Sequence, residues 1–422
     1  MRAFTFPSGF RWGTATSAHQ VEGNNVQNDW WAWEQEPGRI RNGDRSGRAC
    51  AWWENAEHDF DLAAQLHQNA HRLSVEWSRI EPRQGEWDQA ALERYRQMLR
   101  ALCERGIEPM VTLHHFTHPL WFAGQGGWER DDAVDLFGRY VTQVCSALGE
   151  FTSLWCTINE PVGWVFSAYL AGRWPPGHHR AVFRAVRVAT QLARAHAAAY
   201  RILHGLQPQA QVGVANYFRL FDPADPASRL DRFVAAQQDR FVNRAFLDAV
   251  TEGRVRAFPW IAEIPEAAAT LDFLGVNYYT RDMVAFDLQR PGALFGRNFL
   301  RPGGPQSDGG YGEIYPEGMS RVLRLAQRYG KPIYITENGL PDGDDDLRSE
   351  FILAHLREAA RAMRDGADVR GYYHWSLIDN FEWAEGWSMR FGLIAVDPVT
   401  QVRTLRPSAR VYADICRLNA LP

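Results

Sequence analysis

No apolar run in the 422-residue sequence approaches the roughly 20 residues a membrane-spanning helix requires, so neither a transmembrane segment nor a membrane partner is expected. Residues 1–13 lack the charged-then-apolar pattern of a secretion signal, which gives the expectation of a cytoplasmic protein. The formal net charge is only −4 and no basic stripe stands out, which argues against nucleic acid as a partner. There is no C-x-x-C pair, and the five cysteines (Cys50, Cys103, Cys145, Cys156 and Cys416) are odd in number. They read as free buried thiols and not as a disulfide frame or a zinc site. Also missing are a Gly-rich phosphate loop after the first strand-like segment, any low-complexity tract and any repeat of solenoid length, so nothing calls for a cofactor. The sequence does not specify an oligomeric state.

What is abundant is aromatic: 17 Trp, 14 Tyr and 23 Phe. Aromatic faces pack on the C–H faces of sugars, although a large aromatic core is the plainer explanation of composition alone. Length by itself would suggest two or three domains, but an α/β barrel with long loops reaches this size as one unit. Short apolar or β-branched runs recur at residues 10–16, 71–77, 108–114, 154–159, 211–217, 272–278, 332–337 and 370–376. Helix-like stretches lie between them, at 88–105, 133–148, 181–204, 230–252, 318–329 and 347–366. Eight strand–helix units predict one α/β domain over 1–422, a single (β/α)8 TIM barrel whose long βα loops form the pocket. A doubly wound open sheet is the alternative, and the missing phosphate loop counts against it. Turn-rich stretches at 290–311 and 341–346 read as long barrel loops.

Two of the predicted strands end in the same way. Thr157-Ile158-Asn159-Glu160-Pro161 closes the fourth, and Ile335-Thr336-Glu337-Asn338-Gly339 closes the seventh, with Pro161 stopping one ladder and Asn-Gly turning the other. Each places a glutamate at the rim where barrel enzymes keep their chemistry. Glycosidic cleavage needs such a pair: an acid to protonate the departing oxygen, and a carboxylate to attack the anomeric carbon or activate water. Taken singly, either glutamate would pass for a surface or helix-terminal acid. His114, His115 and His118 cluster near the third strand end, but no complementary ligand set appears, so no metal is expected among the site residues. The other strand ends are polar as well: Gln20 after the first, Arg72 in the second, His115 after the third, Asn277 and Tyr279 at the sixth, and Trp375 through Glu382 and Trp383 after the eighth.

These segments resemble glycoside hydrolase family 1, the β-glucosidase and β-galactosidase family, over essentially the whole chain. Phe10 to Gly23 is similar to its N-terminal signature and Arg72 to Ile80 to its second-strand motif. Thr157 to Pro161 and Ile335 to Gly339 resemble its two carboxylate motifs, and Trp375 to Trp383 followed by Arg390-Phe391-Gly392-Leu393 its last sugar-binding loop. The resemblance implies Glu160 as acid/base and Glu337 as nucleophile, with Arg72 and Tyr279 orienting Glu337. It implies Asn159 on the sugar 2-hydroxyl, Gln20, His115, Glu382 and Trp383 on the remaining hydroxyls, Trp375 as the platform under the ring, and Asn277 beside them in the substrate site. Arg72 should keep Glu337 ionised, and that charge should keep Glu160 protonated.

Two positions depart from the family pattern. Phe116 stands where Trp commonly follows the third-strand His, and Gly312 precedes Glu313 where the leaving-group side often has Trp, with Tyr311 beside it. The leaving-group site is therefore expected to be wider, or walled by Tyr311. Glu382-Trp383, together with Met389 in place of a frequent Lys, favours a neutral sugar over a 6-phosphorylated one. The expected function is a retaining exo-β-glycosidase acting on small β-glycosides or short oligosaccharides. A catalytically silent sugar-binding protein on the same fold and an enzyme working mainly by transglycosylation are the alternatives.

Overall fold

The computed structural model describes residues 4–421. Eight strands form the barrel: β1 (Arg11–Ala15), β2 (Ala70–Ser74), β3 (Glu108–His114), β4 (Leu154–Asn159), β5 (Gln211–Pro223), β6 (Phe273–Phe286), β7 (Ile333–Asn338) and β8 (Val369–Trp375). Each pairs in parallel with the next, β8 pairs with β1, and the ring closes. Strands this short that are buried on both faces must be covered by helices, which explains their near-continuous apolar runs. The expected barrel is therefore the observed one.

The helices form the outer ring: α1 (Trp52–Gln65), α2 (Gln89–Glu104), α3 (Ala133–Leu148), α4 (Val182–Leu206), α5 (Arg229–Asp239), α6 (Ala245–Glu252), α7 (Glu317–Gln327), α8 (Arg348–Arg364) and α9 (Pro407–Leu418). α2 shows the logic. Asp88 accepts a hydrogen bond from Ala91 N–H (2.9 Å) and caps the start, while Leu92, Tyr95, Met98, Leu99 and Leu102 recur on one face and are all buried.

Several boundaries differ from the sequence reading. The second strand ends at Ser74, because Glu76 caps a separate helical turn, Trp77–Ile80. The predicted helix at 230–252 is two helices joined by a π-helical segment, Arg240–Arg244. β5 and β6 run well past the barrel rim as a paired extension, to which Gly296–Phe299 adds antiparallel on β6. That extension raises one wall of the barrel mouth. Of the thiols, Cys103 is exposed and the other four are buried.

The N-terminal end of the barrel is plugged. Arg11 reaches across it to Glu108, and Arg11 Nη1 donates to Tyr334 Oη (3.1 Å). At the opposite end the strands release polar side chains towards the centre. Gly339, which follows β7, has to be glycine: a Cβ there would lie 1.9 Å from the Trp375 carbonyl oxygen. The Asn-Gly pair thus lets the loop after Glu337 press against the end of β8, with Asn338 still counted in the strand.

Candidate active site

Glu337 sits at the C-terminal end of β7 and is almost fully buried. Arg72 Nη1 donates to its Oε1 (2.6 Å), and Tyr279 Oη donates to its Oε2 (2.6 Å). Arg72 is itself immobilised, with Nε on Thr112 Oγ1 (3.0 Å) and Nη2 on Asn159 Oδ1 (2.6 Å). One guanidinium thus ties together side chains from β2, β3, β4 and β7, a task its planar fork suits and a lysine does not.

Glu160 follows directly after β4. Its backbone lies in the left-handed region (φ 45°), Pro161 begins a short helix behind it, and its N–H donates to the Ala215 carbonyl on β5 (2.8 Å). Asn277 Nδ2 donates to Glu160 Oε1 (2.9 Å) and to Asn159 Oδ1 (3.1 Å). A continuous relay of hydrogen bonds, Glu337–Arg72–Asn159–Asn277–Glu160, thus joins the two glutamates, close enough for the charge on Glu337 to act on Glu160.

Burial raises the carboxyl pKa of both residues. Glu337 is then pulled back by the Arg72 charge and by donors on Tyr279 and Arg72. Glu160 has only the Asn277 donor and a weaker influence from Arg72, and it feels the negative charge of Glu337, which raises it further. When the pair loses one proton, Glu337 is the residue that ionises and Glu160 the one that stays protonated.

A wall of rings and polar groups faces this pair. His115 Nε2 meets Asn159 Nδ2 (3.1 Å), and its ring stacks near Trp375 and Trp383. Burial, with the Arg72 charge adding to it, holds the imidazole well below its ordinary pKa, so it is neutral. Gln20 Nε2 donates to Asn380 Oδ1 (2.9 Å) and to the Phe381 carbonyl (3.0 Å), and Trp375 Nε1 donates to Glu382 Oε1 (3.1 Å). Burial pushes the Glu382 carboxyl up to about 8, helped by the charge on Glu337, against donors from Trp375 and Gln20. Burial thus makes the proton on Glu382 harder to lose in the free protein. Met389 is buried against Gly309.

The two departures now have physical explanations. Phe116 keeps a ring in place, packed on Trp383 (5.2 Å) and Trp174 (4.8 Å). Gly312 cannot carry a side chain, since a Cβ would lie 2.7 Å from Thr280 Cβ. Tyr311 supplies the ring instead, edge-on to Tyr279 (6.0 Å) and Phe391 (5.3 Å). These contacts bring Arg72, His115, Asn159, Glu160, Asn277, Tyr279 and Glu337 together, with Trp375, Glu382 and Trp383 beside His115.

The sequence reading missed others. His19 stacks on Trp383 (5.7 Å, 15°), and its buried Nε2 has no partner among the described residues. It lies inside the N-terminal motif, next to Gln20. Tyr217 lies near Glu160: a Cβ on Gly163 would be 3.4 Å from Glu160 Oε2 and 3.7 Å from Tyr217 Cβ. Arg219 Nη1 donates to Tyr217 Oη (2.9 Å) and is anchored by Asp282 (2.6 Å). Tyr217 ends the predicted fifth strand, and Arg219 lies on its extension, whose length was underestimated.

A β-glycosidase from Pyrococcus horikoshii has a solved structure that is similar over 100% of this chain and 96% of its own, at 41% identity and a TM-score of 0.93. The structure of a β-glucosidase from Thermotoga maritima in complex with glucoimidazole is similar over 98% of this chain and 99% of its own, at 30% identity and a TM-score of 0.94. In sequence, β-galactosidase from Sulfolobus acidocaldarius is 32% identical over 99% of this chain and 96% of its own length. The sequence profile of glycosyl hydrolase family 1 matches residues 2–421. The chain therefore belongs to glycosyl hydrolase family 1 and is an O-glycoside hydrolase of the β-glucosidase type.

Proposed function

We propose that the protein is a retaining exo-β-glycosidase acting on neutral β-glucosides, and on β-galactosides and β-fucosides as well, with Glu337 as nucleophile and Glu160 as acid/base. The observation that carries this reading is the hydrogen-bonded relay Glu337–Arg72–Asn159–Asn277–Glu160, which holds both carboxyls at one rim with a different set of donors on each. Ionised Glu337 attacks the anomeric carbon as the C–O bond to the leaving group breaks, and Glu160 passes its proton to the departing oxygen. Glu160, now a carboxylate, removes a proton from water, which displaces Glu337 and releases the sugar.

Asn159 takes the 2-hydroxyl, Gln20, His115, Glu382 and Trp383 take the others, and Trp375 carries the ring. Asn277 has its amide hydrogens committed to Asn159 and Glu160, so we assign it to orienting these two and not to the sugar itself. Hydroxyl donors arriving at Glu382 would favour its ionised form, coupling sugar binding to loss of that proton. A silent sugar-binding protein is disfavoured because both carboxylates are in place with their orienting partners. Five free thiols, one of them exposed, fit a reducing compartment and support a cytoplasmic setting.

The test is nitrophenol release from a panel of nitrophenyl β-glycosides. Glu337→Ala should abolish release from every substrate, and activity surviving that change would remove Glu337 from the mechanism.

A further inference from the structure

We propose that the loop between β7 and α8 is a binding site for a hard divalent cation of the calcium type, held by Asp342, Asp344 and Asp346. Carboxylate oxygens of these three residues lie within 4.8 Å of one another. Asp342 is the anchor. It is fully buried, and its Oδ2 accepts from Leu347 N–H (3.0 Å) and Arg348 N–H (2.8 Å), capping the start of α8. Its Oδ1 is also buried but has no hydrogen-bond partner among the described residues. Burying a carboxylate oxygen with nothing to bind is costly, and a cation facing Asp344 and Asp346 would satisfy it.

The chemistry selects the ion. The ligands alternate along the chain (Asp342-Gly343-Asp344-Asp345-Asp346), so one short loop gathers three carboxylates, one buried and two exposed, and water would fill the remaining positions. Oxygen-only ligands in irregular number suit calcium better than magnesium, which demands a near-ideal octahedron. With no His or Cys in the set, zinc and copper are disfavoured. Asp345 is not a ligand: it is turned away and pairs with Arg348 and with Ser408 Oγ (2.6 Å). Two ligands are solvent-exposed, so a weak site is expected, with Kd on the order of 0.1–1 mM.

The position gives the ion something to hold. Asp342 N–H donates to the Arg390 carbonyl (2.9 Å), and Gly343 N–H to Asp308 Oδ2 (2.8 Å). Asp308 begins the turn that carries Tyr311. An ion here would fix the loop behind Glu337 to the segments that wall the pocket. The proposal is independent of the catalytic assignments, because none of its ligands touches the site.

The test is calcium binding to the chelator-treated full chain, by equilibrium dialysis and titration calorimetry, with magnesium as competitor. Asp342→Asn would also disturb the start of α8, so the informative variant is the exposed pair Asp344→Asn with Asp346→Asn. The expected result is one calcium per chain, poorly displaced by magnesium, with affinity at least tenfold lower in the double variant. At ten times Kd, calcium should shift the folding equilibrium about elevenfold in the unaltered protein, and far less in the variant. Equal binding by the two proteins, or no saturable binding below 10 times the upper expected Kd, overturns the proposal.

Discussion

Arg72 Nη1 lies 2.6 Å from Glu337 Oε1, and both side chains are shut away from solvent. A buried ion pair of this kind contributes little net stability, but breaking it leaves one charge unmatched in a low-dielectric site. Arg72→Met should therefore lower stability by about 3–5 kcal/mol. It should also cut kcat by at least 100-fold, because Glu337 would lose its orienting donor and its preference for the ionised state. Arg72→Lys should recover stability better than activity, since an ammonium cannot serve Glu337, Asn159 and Thr112 together. Thermal melts and steady-state kinetics of the two variants check this. Normal kcat in either one contradicts the role given to Arg72.

In the proposed mechanism the proton on Glu160 sets the alkaline limb of activity. Its carboxyl is raised by burial and by the charge of Glu337, so kcat/KM should stay high past the ordinary carboxylate range and fall only as Glu160 ionises. With Glu160→Gln and a nitrophenyl leaving group that needs no protonation, the alkaline limb should vanish and the second step should become limiting. An unchanged bell-shaped profile in that variant would assign the limb elsewhere.

Glu76 supplies a stability test away from the chemistry. It is fully buried, and burial together with the nearby Glu22 charge pushes its carboxyl up to about 7. A native pKa above the unfolded value means the folded state holds the extra proton. The stabilisation is complete below about pH 4.3, the unfolded value, and is lost as pH rises through about 7. Buried neutral histidines such as His19 and His71, each lowered to about 3, act in the opposite direction, so the comparison must be by difference. The melting temperature of the unaltered protein minus that of Glu76→Gln should fall steadily from pH 4.5 to pH 8. A flat difference would mean that Glu76 is ionised in the folded protein.

Much of this was readable in the chain because barrel chemistry is local. Apolar runs that stop at a polar residue mark strand ends, and β3 and β4 have the bounds their hydrophobic runs predicted. Glu160, Glu337 and Asn277 were visible for that reason, whereas Arg72 lies inside its strand and its role came from the family resemblance. What escaped depends on contacts distant in sequence. Tyr217 ends the predicted fifth strand and Arg219 looks like its exit, and only the pairing of β5 with β6 shows how far that strand runs. Gly312 looked like a lost side chain, whereas Thr280 excludes one.

The most direct measurement is the anomer first released. Proton NMR of a β-glucoside digest, recorded before mutarotation, should show β-glucose appearing first, because two displacements across the gap between Glu160 and Glu337 restore the starting configuration. α-Glucose as the first product would contradict the account: water, not Glu337, would then have attacked the sugar.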